Sequence, residues 1–212
     1  MASRHTVSLT LANLLFLAAV LHAQTDFSAR LTNSWGGSVQ NEKIFVSGDR
    51  VRVESIPSAG TAPSILDMDT RITRIVVADK KTFMEGPPGA GLQRGYAFFR
   101  VADPENACDI WLKLVFLPQS KCQKIGPATI NGRNAVEYEG NSSDGELRHV
   151  WIDNKLAFPI QWDSKGGSGS LRDIQEGPQP AALFEIPVGF TKINGFSTTH
   201  HMSGMLPQAT HP

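Results

Sequence analysis

The chain has 212 residues, which is enough for one domain of ordinary size with a well-buried core. Its 20 basic residues balance its 20 acidic ones, so the sequence lacks the excess of positive charge that is typical of a protein that binds nucleic acid or an anionic membrane. The 19 Gly and 13 Pro indicate many turns rather than long helices.

The first residues have the features of a secretion signal. Arg4 and His5 give a weakly basic start, and the 13 residues from Leu9 to Leu21 are almost entirely apolar. That run is too short to cross a bilayer, which needs about 20 residues; a membrane anchor or a buried helix is the alternative. We therefore predict cleavage after Ala23 and a periplasmic or secreted chain. No cysteine lies at this junction, so a lipid anchor is not expected.

The two cysteines, Cys108 and Cys122, are 14 positions apart. In the oxidising compartment that an exported chain reaches, a pair at this spacing predicts one disulfide. The spacing is not the C-x-x-C of a redox or metal-binding pair. Closing a loop of this size stabilises a fold by about 3 kcal/mol in the chain-entropy model.

Alternating apolar residues predict antiparallel strands in the first half of the mature chain. Phe27 to Trp35 alternates cleanly, and the Gly36-Gly37 turn leads into a second strand, Val39 to Val46. Further short strands are predicted around Val51 and Val53 and at 65–69, 72–78 and 82–85. The Gly- and Pro-rich residues 86–91 then predict a surface loop.

The most apolar segment of the mature chain, Ala107–Leu117, allows two interpretations. Asp103 and Pro104 could start a helix as the capping residue and the first helical position. A buried strand is the alternative, because periodicity does not separate the two in a short apolar run. In either case the disulfide would join this segment to the next strand.

The region from Gly126 to Pro187 predicts a meander of strands closed by a short apolar cap. Asn131-Gly132 between two strand-like runs is the strongest short hairpin signal in the chain. Later turns are predicted around Asn141–Gly145, Asp153–Lys155 and Gly166–Gly169. The cleanest alternation, Leu156-Phe158-Ile160-Trp162, lies between the last two. We expect one domain over 24–193, with 1–23 as the signal peptide and 194–212 as a disordered tail.

Residues that could carry catalysis have simpler structural explanations. Gly167-Ser168-Gly169-Ser170 does not supply the G-x-S-x-G elbow of a serine nucleophile and suits a hairpin tip. His149, between Leu147 and Trp151, is more simply a satisfied, partly buried histidine than a base. Asp67 and Asp69 are taken as solvated charges on one strand face. We expect no enzyme, cofactor or metal site, although an enzyme with a site hidden from the sequence is a third possibility.

What remains is an apolar surface on a curved antiparallel sheet. Such a face must be covered, by Ala107–Leu117, by the Ala182–Phe184 cap or by an apolar ligand. Ordinary core packing is the more frequent explanation, but aromatic faces also line ligand sites. The predicted ligand-binding residues are Leu31, Trp35, Val51, Val53, Tyr138, Trp151, Phe158, Ile160 and Trp162.

The order of several short motifs resembles a bacterial envelope domain of unknown function in the superfamily of the lipoprotein-localisation factors LolA and LolB. The motifs follow the signal peptide and extend over roughly Phe27 to Lys192. They are Val51-Arg52-Val53-Glu54, Thr129-Ile130-Asn131-Gly132-Arg133, Val150-Trp151-Ile152-Asp153, Phe158-Pro159-Ile160 and Leu183-Phe184-Glu185-Ile186-Pro187-Val188-Gly189-Phe190.

The resemblance implies an α+β fold, a half-open antiparallel β-barrel with a helical element packed on its concave face. Relatives use that concavity to hold lipid or lipoprotein acyl chains. The first expectation is therefore a non-enzymatic envelope protein, peripheral to the membrane at most, that binds a lipid, lipoprotein or other apolar ligand. The alternative is an envelope scaffold or accessory subunit with a protein partner, whose barrel is filled by its own side chains.

Overall fold

A computed structural model describes residues 25–56, 62–87, 98–115, 119–141 and 145–194. These residues form a single open, curved sheet of 12 strands with one α-helix. The strands are β1 (Phe27–Trp35), β2 (Ser38–Ser47), β3 (Arg50–Ser55), β4 (Ser64–Asp67), β5 (Thr73–Val77), β6 (Thr82–Gly86), β7 (Lys121–Ile130), β8 (Arg133–Asn141), β9 (Leu147–Asp153), β10 (Phe158–Ser164), β11 (Gly167–Glu176) and β12 (Thr191–Lys192); the helix is α1 (Cys108–Val115).

The strand order is β12-β6-β5-β4-β3-β2-β1-β11-β10-β9-β8-β7, and every pairing is antiparallel except that of β12 with β6. The long-range β1–β11 pair joins the two halves of the chain at the middle of the sheet. The sheet does not close, so the predicted half-open barrel is confirmed.

Tight turns with positive φ set the register of the hairpins. Asn131 and Gly132 have φ of 50° and 78°, as a two-residue hairpin turn of the twist-matching kind requires. Gly36 and Gly37 do the same between β1 and β2, with φ of 55° and 81°. Both predicted hairpins are confirmed. The Gly166–Gly169 turn is shorter than predicted, because β11 already begins at Gly167.

The helical interpretation of 107–117 is correct as far as the segment is described. Asp103 caps a 3₁₀ turn, Pro104–Asn106, by accepting a hydrogen bond from the Glu105 amide at 2.9 Å, and α1 follows. Trp111 and Ala107 pack against Val136, Tyr138, Val150 and Ile152 of β8 and β9. The predicted disulfide joins Cys108 at the start of α1 to Cys122 of β7, with 5.6 Å between their Cα atoms.

The chain end at residues 177–194, which we call the C-terminal strap, covers part of the sheet. A 3₁₀ turn at Ala181–Phe184 places Phe184 against Ile65 and Val76. Those two residues alternate with the residues of β4 and β5 that face the main core, so the strap lies on the other face. The predicted exit turn at Val188–Lys192 needs correction, because Thr191–Lys192 forms β12 beside β6.

Several predicted features lie outside the described residues. They are the signal peptide at 1–23, most of the Gly- and Pro-rich loop at 86–91, the end of the apolar segment at 116–117, and the tail from 195 onward.

Candidate functional site

Six of the nine predicted ligand-binding residues lie on one continuous face of the sheet. Register pairs connect Tyr138 to Val150, Val150 to Trp162, Trp162 to Gly169 and Gly169 to Asn33, which shares its face with Leu31. The same argument extends the face through β2 to β3. The six residues are Leu31, Trp35, Val51, Val53, Tyr138 and Trp162.

Trp151 stands at a β9 position that alternates with this face, although its ring still packs against the main core. Trp151 pairs with Glu137, whereas its neighbours Val150 and Ile152 are the buried residues of β9. The alternation Leu147-His149-Trp151 therefore follows the opposite side of the strand. Val150 and Ile152 are core residues that were not predicted from the sequence, although their β-branched side chains are typical of buried strand positions.

A bulge interrupts the regular alternation of β10. Ile160 is the extra residue, between the pairs Pro159–Ile152 and Gln161–Trp151. Phe158 pairs with Asp153 and Trp162 with Val150, so the bulge breaks the two-residue alternation of β10, while Phe158, Ile160 and Trp162 still pack in or against the main core. The predicted regular alternation from Leu156 to Trp162 therefore needs correction. Pro159 could have indicated this bulge in the sequence, since proline inside a central strand is found mainly at bulges.

The interior of the sheet is filled by side chains of the protein itself. Phe158 meets Phe27 edge-on at 5.3 Å between ring centroids and stacks on Phe98 at 5.8 Å. Phe98 in turn meets Trp162 edge-on at 5.9 Å. The six predicted site residues other than the three tryptophans are all buried within the core: Leu31, Val51, Val53, Tyr138, Phe158 and Ile160. Phe98, which the sequence did not single out, connects the rings.

The tryptophans of the predicted site differ in exposure. Trp162 and Trp151 are half-buried and pack against the main core. Trp35 is 55% exposed at the end of the β1–β2 hairpin, and its ring lies beside Gly166 and Gly167 of the neighbouring hairpin. Trp35 is thus the one member of the predicted set with a largely free surface.

Two polar side chains inside this region hold elements together. The Tyr138 hydroxyl donates to the Pro104 carbonyl at 2.6 Å and accepts from the Ala107 amide at 3.2 Å, and burial raises the pKa of this phenol. The Arg100 guanidinium donates to the carbonyls of Gly48, Leu156 and Thr25. Burial lowers the pKa of Arg100, while Asp26 and Asp49 act in the opposite direction. Both groups serve structure.

His149 is half-buried and paired, as predicted. Its Nδ1 lies 3.0 Å from Glu137 Oε1, its Nε2 lies 3.8 Å from Glu139 Oε2, and its ring stacks on Trp151 at 5.8 Å. This arrangement orients the imidazole between two carboxylates on the face opposite Tyr138.

Asp67 and Asp69 do not share a strand face, which corrects the prediction. Asp67 ends β4, and Asp69 lies in the turn that follows. Burial raises the pKa of Asp67, but hydrogen bonds from Thr70 and Asp69 outweigh it and hold that pKa below its usual value. Among the described residues no group of three His, Cys, Asp or Glu side chains could hold a metal ion.

A cleft of about 460 Å³, which we call the polar cleft, is lined mainly by residues that alternate with the predicted apolar face, and Trp162 of that face borders it. It crosses the middle of the sheet, where β1, β11 and β10 run side by side. Its walls present hydroxyl groups, one amide, one carboxylate and one guanidinium beside about as much apolar surface. The lining residues are Thr32, Ser34, Gln161, Trp162, Asp163, Ser168, Gly169, Ser170 and Arg172.

No protein-family model matches the chain, and no curated protein is similar to it in sequence. Solved structures do match. An uncharacterized conserved protein from Thermus thermophilus is 11% identical, with a TM-score of 0.51 over 82% of this chain and 93% of that chain. A chain of the MucA/MucB complex of Pseudomonas aeruginosa is 18% identical, with a TM-score of 0.46 over 76% of this chain and 56% of its own.

A LolA superfamily protein from Nitrosomonas europaea is also among the matches, at 8% identity and a TM-score of 0.35 over 76% of this chain and 90% of that chain. At these identities the likeness concerns the fold alone. The half-open antiparallel sheet that the predicted resemblance implies is the architecture of the chain. None of the helices within the described ranges has the length and apolar character needed to span a membrane.

Proposed function

We propose that the chain is a non-enzymatic accessory or scaffold protein of the bacterial envelope, with a half-barrel filled by its own side chains. In this proposal residues 1–23 are a cleaved export signal and 24–193 form the single functional domain. The mature protein is periplasmic or secreted in this proposal, and it acts by binding a protein partner in the envelope.

One observation favours the accessory role over lipid transport: the interior of the half-barrel is already filled. The aromatic rings of Phe27, Phe98, Phe158 and Trp162 contact one another in the space that a carrier would leave for acyl chains. Acyl methylenes gain about 0.8 kcal/mol each when buried, but here the same surface is already buried against protein. A lipid would have to displace at least one ring. Binding of a lipid in the half-barrel is the second candidate function, and the mass-spectrometry experiment described below tests both.

A paired histidine supports a binding role rather than catalysis. His149 contacts Glu137 and stacks on Trp151, so neighbouring side chains on the surface of the sheet hold its ring in place. Tyr138 and Arg100, the other polar groups of the interior, bond to backbone carbonyls. Each of these side chains has a structural partner that accounts for its position.

Native mass spectrometry of the mature protein, purified without detergent and then extracted with solvent, tests the proposal. We expect the mass of the bare chain less the two hydrogens lost in the Cys108–Cys122 disulfide. A mass excess that extracts as lipid would overturn the filled-barrel proposal and support the carrier.

The stability of two variants gives an independent test. Phe158→Ala should lower the free energy of unfolding by about 3–5 kcal/mol if the ring is core. Trp35→Ala, which removes a ring that is 55% exposed, should cost much less. Nearly equal, small losses in both variants, together with bound lipid in the wild type, would favour a cavity that the rings only line.

A further inference from the structure

The polar cleft has an organised lining that the proposed function does not use. Two cross-strand rows run through it: Ser34, Ser168 and Asp163 are consecutive register partners, and so are Thr32, Ser170 and Gln161. Register partners of antiparallel strands project to the same face. Arg172 lies two residues beyond Ser170 on β11 and so extends the same face.

Most of these side chains are not engaged by the protein. Thr32 donates to Asn41 at 3.2 Å, and Ser170 accepts from Asn131 at 3.3 Å. Within the described part of the chain, the side chains of Ser34, Ser168, Gln161, Asp163 and Arg172 have no hydrogen-bond or ion-pair partner. Five polar side chains therefore converge on one cleft with their donors and acceptors available to a ligand.

The chemistry of the lining selects one class of ligand. Hydroxyl and carboxamide groups both donate and accept hydrogen bonds, as the hydroxyls of a saccharide do. Asp163 and Arg172 carry opposite charges, so the lining as a whole favours neither an anion nor a cation.

The size of the cleft agrees with such a ligand. Its volume of about 460 Å³ lies within the roughly 300–1,000 Å³ range of small-molecule sites. We propose that this cleft binds a short neutral oligosaccharide. The inference goes beyond the accessory role proposed above and does not depend on it, because the polar side chains that would bind the ligand stand at strand positions that alternate with the core positions, while Trp162 and Gly169 border both the cleft and the core.

Binding can be tested on the oxidised, full mature chain with three trisaccharides as probes: maltotriose, cellotriose and triacetylchitotriose. We expect at least one of them to shift the amide resonances of Ser34, Gln161 and Ser168 in NMR titrations. Because the ligand is neutral, its Kd should change less than about twofold between roughly 50 and 500 mM NaCl, a range over which salt strongly screens interactions between charges.

Variants identify the cleft as the site. Gln161→Ala and Asp163→Ala should each weaken binding about tenfold, which is what the loss of one good hydrogen bond to a ligand produces. Gln175→Ala and Asp79→Ala remove the same side chains at exposed positions outside the cleft and should bind within about twofold of the wild type. All four should unfold at the wild-type temperature, because the five unengaged side chains and the two control side chains stabilise little.

Three results would overturn the proposal. One is that none of the three trisaccharides shifts any cleft resonance. Another is that the two cleft variants bind as tightly as their controls. The third is that only inorganic phosphate binds, and that Arg172→Ala abolishes this binding, which would make the cleft an anion site.

Discussion

The indole of Trp162 lies directly over Gly169, its register partner on β11, so that a Cβ atom at Gly169 would come within 2.0 Å of the ring. The ring is not free to withdraw, because its other side meets Phe98 at 5.9 Å. Glycine is therefore required at position 169 by packing rather than by backbone conformation, since its φ is not positive.

Gly169→Ala should lower the free energy of unfolding by about 1–3 kcal/mol, the usual cost of overpacking a core. Gly166→Ala is the matched control, because its Cβ would approach the exposed ring of Trp35 only to 3.2 Å and that ring can move outward. Urea denaturation of both variants measures the difference. Equal stabilities would show that the Trp162 ring can leave Gly169 at little cost.

Asp153 is 1% exposed and connects three parts of the fold. Its carboxylate accepts from Arg133 Nε at 2.5 Å and from the amides of Lys155 and Leu156 at 2.9 and 2.7 Å. Asp153→Ala leaves Arg133 with Glu176 as its remaining partner but leaves the two amides without their acceptor, and a buried polar group left without a partner costs about 1–3 kcal/mol. Arg30→Ala, which breaks the exposed Arg30–Asp173 pair, should cost at most about 1 kcal/mol. Thermal and urea unfolding compare the two; similar losses would contradict the assigned role of Asp153.

Features set by neighbouring residues could be predicted from the sequence. Asn131-Gly132 specifies its own turn through two positive φ values, and the hairpin forms where the sequence predicts it. The Cys108–Cys122 disulfide could be predicted because the chain has two cysteines and is expected to reach an oxidising compartment. Asp103 and Pro104 indicated a helical start, and only the packing of Trp111 on β8 and β9 decides that a helix follows.

Features that depend on distant strands could not be predicted in the same way. Alternation in β9 fits two faces equally well, and the choice of Val150 over Trp151 for the core depends on pairing with Tyr138. In β10 the bulge at Ile160 shifts the register within a single strand, and only the pairing with β9 shows it. The cleft was missed for a related reason: Ser34, Ser168 and Asp163 belong to three strands and meet only through register.

Removing the disulfide should destabilise the protein by about 3 kcal/mol, the chain-entropy value for a loop closed by cysteines 14 positions apart. The double variant Cys108→Ser, Cys122→Ser should therefore unfold at lower urea concentration than the oxidised wild type. The wild type treated with reductant is the control and should match the double variant. If reduction leaves the midpoint unchanged, the crosslink does not stabilise the link between α1 and β7.

The attachment of β12 should weaken in acid. The hydrogen bond from Lys192 holds the pKa of Glu85 below its ordinary value of 4.5, although burial opposes this, and Arg74 adds to the lowering. A carboxyl group whose pKa is lowered by folding stabilises the fold above its unfolded pKa, and this contribution is lost as the pH falls through the folded pKa. Protection of the Thr191 and Ile193 amides against hydrogen exchange should therefore fall below about pH 4.5, the unfolded reference value.

Glu85→Gln provides the control for this pH dependence. It should show reduced protection of the same two amides already at neutral pH, and a smaller further loss in acid. If the variant and the wild type have equal protection factors at neutral pH, the Glu85–Lys192 contact at 2.7 Å does not hold β12 in place.

The C-terminal strap should depend on one ring. Phe184 is 4% exposed against Ile65 and Val76, and Arg50 lies 5.4 Å from its centroid. Phe184→Ala should cost about 3–5 kcal/mol if the strap unfolds together with the sheet. If the strap opens separately, the global stability should change little, while exchange of the Thr191 and Ile193 amides accelerates.

Val188→Ala separates these outcomes from a general effect of shortening side chains in the strap. Val188 is fully exposed in the same segment, so its truncation should alter neither global stability nor exchange. Because Ile65 and Val76 would become accessible when the strap leaves, a Phe184→Ala protein should also bind a hydrophobic dye that the Val188→Ala protein does not. Equal behaviour of the two variants in all three measurements would show that Phe184 does not anchor the strap.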